Sequence, residues 1–168
     1  VCRVTKPDGW VVLNADDPLV APVAKRVRAR VAYWSLDPDR SRVVARHRRD
    51  GGRCFVLRGG RLVEWNGADE TALLDVADLP VALGGLARYQ VANALAAAGA
   101  ARALGATPGE VGDGLRDFRP SADLSPGRLN LFRLGRRTVI VDFAHNEAGT
   151  AAILDVAAGI AGGAAGRA

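Results

Sequence analysis

Methionine is absent from these 168 residues, and lysine nearly so: of 23 basic residues only Lys6 and Lys25 are lysines, the rest being arginine. The chain opens in mid-pattern at Val1-Cys2-Arg3-Val4, which leads to the expectation of a fragment, long enough for one domain or parts of two. No apolar run reaches the roughly 18 residues of a membrane helix; the longest, Val91 to Gly105, is mostly alanine and is broken by Arg102. The opening residues do not form the charged, apolar and cleavage regions of a secretory signal. Cys2 and Cys54 lack metal-ligand spacing and are expected to be reduced, buried thiols. A cytoplasmic location and no membrane partner are expected.

What is present can build a core. Hydrophobic residues make up 49% and charged ones 24%, a balance that excludes wholesale disorder. The net charge of +5 raises a nucleic-acid reading. The densest basic run holds Arg40, Arg42, Arg46, Arg48, Arg49 and Arg53, with His47 but no interleaved aromatic. A solvated loop beside the Asp50-Gly51-Gly52 turn signal is the expectation there, and no nucleic-acid partner is expected.

The pattern along the chain is α/β. Trp10 to Leu13 reads as a strand covered on both faces. Asp17 and Pro18 read as N-cap and first residue of a helix toward Arg28, distorted by Pro22. Arg30 to Ser35 reads as a second strand, and Val43-Val44 as a possible third. Cys54 to Arg58 and Arg61 to Trp65 flank Gly59-Gly60, a hairpin signal, expected as a small antiparallel appendage. An alanine-rich helix follows from Tyr89 to Leu104, with Val91, Leu95, Ala98 and Leu104 near one stripe and Gly105 as its stop. Thr107-Pro108-Gly109-Glu110 is a capping box opening a helix toward Phe118. Residues 119–126 contain two prolines among small polar residues and read as an interdomain linker. Strands are then expected over Leu129 to Leu134 and Thr138 to Val141, joined at Gly135, with a helix from Glu147 or Ala148. The segment from Ala157 to Ala168 carries four glycines and is expected to pack little.

In open α/β sheets ligands gather where strands end and helices begin. Two such loops carry functional groups: Asn14-Ala15-Asp16-Asp17, and Asp142-Phe143-Ala144-His145-Asn146. The bland alternative makes Asp142, Asn146 and the first group capping residues. Asn93 is a carboxamide within an alanine-rich helix, able to offer a donor and an acceptor to a purine edge, or else exposed or internally bonded. Arg128, after Pro126-Gly127, could clamp phosphate or ribose oxygens.

Four segments occur in order: Asn14-Ala15-Asp16-Asp17-Pro18; Tyr89 to Ala97; Pro126-Gly127-Arg128-Leu129-Asn130-Leu131-Phe132; and Val139 to Asn146. Together they resemble the Mur ligase superfamily, and within it the Mur-ligase-like half of the cyanophycin synthetases. The resemblance implies the later part of a central ATPase domain over residues 1–118, with a parallel sheet and a small antiparallel hairpin element. It further implies a linker over 119–126 and the start of a Rossmann-like C-terminal domain over 127–168. The implied parent activity is ATP-dependent joining of a carboxylate to an amine through an acyl phosphate, with magnesium, and with aspartate and arginine as substrates.

By the same resemblance, Asn93 matches an adenine-contacting asparagine and Arg128 an arginine that reaches the nucleotide. Asp142 and His145 match an Asp-Tyr-Ala-His motif, in which Phe143 replaces the tyrosine; Gln90 stands where many members have asparagine. Asn14, Asp16 and Asp17 take a mainly structural role, and Asn146 a supporting one. A P-loop needs Gly-Lys followed by Ser or Thr, but Lys6 lies between Thr5 and Pro7, and Lys25 between Ala24 and Arg26. The upstream magnesium ligands have no counterpart either, so no metal ligand is assigned. The isolated chain is therefore expected to be inactive. A peptidoglycan-type Mur ligase and, in another class, a non-catalytic arginine-rich module for nucleic acid or polyanion are the alternatives; the oligomeric state stays open.

Overall fold

In the computed structural model, residues 2–165 are described. Five strands form one sheet in simple order: β1 (Trp10–Asn14), β2 (Arg30–Ser35), β3 (Arg53–Arg58), β4 (Arg61–Asn66) and β5 (Asp69–Asp75). The first three run parallel; β3-β4 and β4-β5 are antiparallel. The Gly59-Gly60 hairpin is as expected, with both glycines at positive φ (55° and 75°). It is no appendage, however. β3 pairs with β2 over Ala32–Ser35 and with β4 over its whole length, so the hairpin extends the parallel sheet. β5 completes it with a mixed polar and apolar sequence that carries no strong strand signal of its own.

The sheet is buried on both faces, as the period-two alternation of side chains shows. Phe55, Leu62, Ala32 and Leu74 face α2 (Arg88–Ala103) and α3 (Pro108–Asp117). Val11, Leu13, Tyr33, Cys54, Val56 and Val63 face the opposite layer, which contains α1 (Arg42–Arg49) and a 3-10 turn over Ala21–Arg26. Gly99 lets α2 approach closely: a Cβ there would lie 2.7 Å from Val12 Cγ1 and 3.2 Å from Phe55 Cδ2. Burial pushes the Cys54 thiol up to about 12, so it packs as an inert apolar group.

Several local expectations are corrected. The helix expected from Pro18 to Arg28 is a turn followed by the 3-10 segment; Pro22, at its start, has no N–H to continue an α-helical ladder. Val43 and Val44 are helical rather than extended. Ser41 caps α1 by accepting from Val44 N at 3.3 Å, and Val44 is fully buried. The arginine run is thus a turn residue, Arg40, followed by α1 and the first residue of β3, not a single loop. Leu104 is 90% exposed; at about 100° per residue it lies on the far side of the helix from Val91. The capping box is complete, Thr107 and Glu110 bonding reciprocally at 2.7 and 3.2 Å.

Residues 118–129 contain no helix or strand. Beyond them β6 (Asn130–Leu134) and β7 (Arg137–Val141) form an antiparallel pair turning at Gly135, followed by α4 (Glu147–Ala165). The glycine-bearing segment expected to pack little is helical through Ala165, and the turn before it buries Val156 against Ala87 and Leu129. That small cluster joins β6, β7 and α4 to the start of α2. Among the described residues no helix is long and apolar enough to cross a membrane.

Candidate functional site

The loop after β1 is occupied by its own structure. Asn14 Oδ1 accepts from Asp16 N at 2.9 Å. Asp16 accepts from the Ser35 hydroxyl at 2.6 Å and from Leu36 N at 2.7 Å, tying the end of β1 to the end of β2. Asp17 Oδ1 caps the following turn through Leu19 N and Val20 N. Asn14, Asp16 and Asp17 therefore hold the sheet end together, and none of them lines the cleft formed by the remaining candidates.

That cleft, of about 550 Å³, lies between the first half of α2 and the loop joining β7 to α4. Asn93, Arg128, Asp142, His145 and Asn146 all line it, although the first and last are 53 positions apart in sequence. Its volume falls in the usual range for small-molecule sites. Asn93 reaches it because α2 turns Val91, Ala94, Leu95 and Ala98 onto the sheet, which leaves position 93 on the opposite, exposed side. Its amide donates to Gln90 Oε1 at 3.1 Å, so the internally bonded and cleft-facing readings both hold.

On the other wall, β7 ends at Val141 and delivers Asp142. Its Oδ2 accepts from Leu129 N at 2.8 Å. His145 Nδ1 lies 3.0 Å from the Phe143 carbonyl; a carbonyl only accepts, so Nδ1 carries the proton. Asn146 Oδ1 accepts from Gly149 N at 2.8 Å, which makes it the N-cap of α4. Arg128 is exposed and enters no ion pair among the described residues.

Three aromatic side chains complete the walls: Tyr89, Phe118 and Phe143. Phe118 and Phe143 are 48% and 66% exposed, unusual for rings this size and suited to stacking on a planar ligand. The Tyr89 hydroxyl is buried without a hydrogen-bond partner. Burial, and then the charge of Asp142, push its pKa above the ordinary tyrosine range, with the neighbouring Gln90 side chain opposing. Sequence reasoning missed Tyr89 and Phe118 as wall residues, since each sits at a helix end, where an aromatic reads as packing.

The orphaned hydroxyl, the exposed guanidinium and the exposed rings suit a ligand with a flat ring and anionic oxygens. Among the described residues no group of three His, Cys, Asp or Glu side chains lies close enough to hold an ion.

Comparison with known proteins narrows the class. No family model matches the chain. It is 40% identical over 153 residues to the cyanophycin synthetase of Crocosphaera subtropica, covering 91% of this chain and 17% of that protein. It is 42% identical over 155 residues to the cyanophycin synthetase of Synechocystis sp., covering 92% and 18%. The sequence fits the Mur ligase superfamily. A UDP-N-acetylmuramate–L-alanine ligase from Rubrobacter xylanophilus matches at 34% identity over 157 residues, covering 90% of this chain and 29% of that protein. The chain thus spans under a fifth of the length of the cyanophycin synthetases it matches. A mixed α/β sheet followed by a small antiparallel pair is consistent with this Mur-ligase-like assignment.

Proposed function

We propose that the chain is part of an ATP-dependent ligase that joins a carboxylate to an amino group through an acyl phosphate, and that its cleft is one half of the nucleotide site. The observation that carries this reading is the convergence of Asn93, Arg128, Asp142 and His145 on one cleft. Asn93 faces the base, Phe118 and Phe143 flank it, and Arg128 meets ribose or phosphate oxygens. Residues 1–118 are the later part of the central ATP-binding domain, 119–126 a linker, and 127–168 the beginning of the C-terminal domain. Magnesium would be held mainly by groups other than these, and would offset phosphate charge during transfer. The stronger matches to cyanophycin synthetases favour aspartate and arginine as substrates over peptidoglycan precursors.

Because neither lysine lies in a Gly-Lys-Ser/Thr setting, the 168-residue chain does not turn over ATP. In a complete ligase carrying it, Asn93→Ala weakens ATP binding, and Asp142→Ala and His145→Ala lower turnover. Titration and steady-state assays check this: unchanged affinity and turnover in all three variants would remove the site assignment. ATP hydrolysis by the purified 168-residue protein would remove the half-site reading.

A further inference from the structure

The loop that presents Arg128 is more tightly built than a connection between α3 and β6 requires. Gly127 and Leu129, on either side of Arg128, both have positive φ (67° and 52°). Glycine adopts that conformation freely, but for leucine it is strained. Such strain persists only where neighbouring contacts over-determine the backbone. Here they do.

All three successive N–H groups are bonded: Gly127 N to Asn130 Oδ1 at 2.7 Å, Arg128 N to Ser125 O at 3.2 Å, and Leu129 N to Asp142 Oδ2 at 2.8 Å. Phe143 N adds a bond to Gly127 O at 2.7 Å. Asn130 is the centre of this arrangement. It is 5% exposed, one of few buried polar residues, and its other amide end donates to Ser125 O at 3.1 Å. A single side chain therefore spans the loop from Ser125 to Gly127. The Leu129 side chain is buried in the cluster with Ala87 and Val156, which leaves the Arg128 side chain as the exposed group of the tip.

We propose that Asn130 is the positioning residue for Arg128: it holds the tip in the left-handed conformation that directs the guanidinium into the cleft, ready for an anionic ligand oxygen. The inference rests on the nucleotide reading of the cleft. A guanidinium carried on a preformed backbone loses less freedom on meeting its oxygen partner. Asn130 itself touches no ligand, so its effect must pass through Arg128.

A double-mutant cycle tests this, with ATP and adenosine titrated by calorimetry into a complete ligase carrying the chain as wild type, Arg128→Ala, Asn130→Ala and the double variant. Asn130→Ala is expected to weaken ATP about tenfold, the scale of losing a charged hydrogen bond, and to leave adenosine within about twofold. In the Arg128→Ala background it is expected to add nothing. Equal weakening of ATP and adenosine, or additive losses, overturns the positioning role while leaving the nucleotide reading intact. ATP affinity unchanged by Arg128→Ala, or no ATP binding by the wild type, overturns the nucleotide reading and the inference with it. Asn130→Asp, which keeps an acceptor for Gly127 N and loses the donor to Ser125 O, serves if Asn130→Ala does not fold. Its expected result is a smaller loss for ATP that again vanishes without Arg128.

Discussion

The side-chain amide of Asn93 donates to Gln90 Oε1 across one turn of α2, at 3.1 Å. That bond holds Asn93 through its nitrogen and leaves its oxygen without a hydrogen bond among the described residues. An outward acceptor beside a remaining N–H matches adenine, which offers an amino donor next to an acceptor nitrogen; guanine offers two acceptors there. Replacing Gln90 by leucine removes the bond, and the ratio of ATP to GTP affinity is expected to fall about three- to tenfold. Glu at position 90 keeps the acceptor and is expected to keep the ratio. Competition titration with the two nucleotides measures both, and a ratio unchanged by Gln90→Leu would show that Gln90 does not orient the amide.

Glu64, in the middle of β4, is 3% exposed and accepts from Arg102 Nε, in the last turn of α2, at 2.6 Å. Arg53 Nε lies 3.2 Å from its other oxygen, near enough for an ion pair although misaligned for a hydrogen bond. Removing one partner of a buried pair leaves a poorly compensated charge. Arg102→Ala is therefore expected to cost about 3 kcal/mol. The pair of Arg61 and Asp75, with both side chains more than half exposed, sets the contrast: Arg61→Ala is expected to cost about 0–1 kcal/mol. Urea unfolding of the two variants compares them, and equal costs would show that burial gives the Glu64 cluster no special weight.

His47 is packed edge-on against Tyr33, with its Nε2 3.1 Å from the Val31 carbonyl. Burial lowers its pKa, with the Val31 and Arg53 backbone groups and Asp50 opposing. The folded state thus prefers neutral His47, and the unfolded chain binds the extra proton first as pH falls. The contribution of this group is present above the ordinary histidine pKa and is lost as pH drops through the lowered folded value. His47→Gln is expected to flatten that part of the stability profile. Thermal melting between about pH 7.5 and 5 tests it, and an unchanged slope in the variant would exclude His47 as its source.

Much of the local structure was legible. The hairpin at Gly59-Gly60, the capping box at Thr107 and Glu110, and the β2 and α2 segments each depend on neighbours within a few residues. Val43-Val44 was misread because two β-branched residues fit a strand or a buried helical turn equally well; Ser41 and the sheet above Val44 decide for the helix. β5 was missed because residues such as Asp69, Glu70 and Thr71 become strand only by pairing with Glu64, Trp65 and Asn66. Asn130 stood in a recognisable segment, yet nothing in its spacing marked it as the buried centre of the Arg128 loop.

The sequence by itself determined the alternation of strand and helix and the Mur-ligase-like class, since each follows from residue types at short or ordered spacing. Only the tertiary structure decided which candidates share a cleft. Asn14, Asp16 and Asp17 were as rich in functional groups as Asp142 and His145, but their oxygens are taken by Ser35, Leu36 and the backbone of their own loop. Asn93 and Arg128 meet Asp142 and His145 because Ala87, Leu129 and Val156 bury one another, drawing the β6-β7 pair and α4 against the start of α2. That apolar contact joins segments far apart in the chain, and no local pattern encodes it.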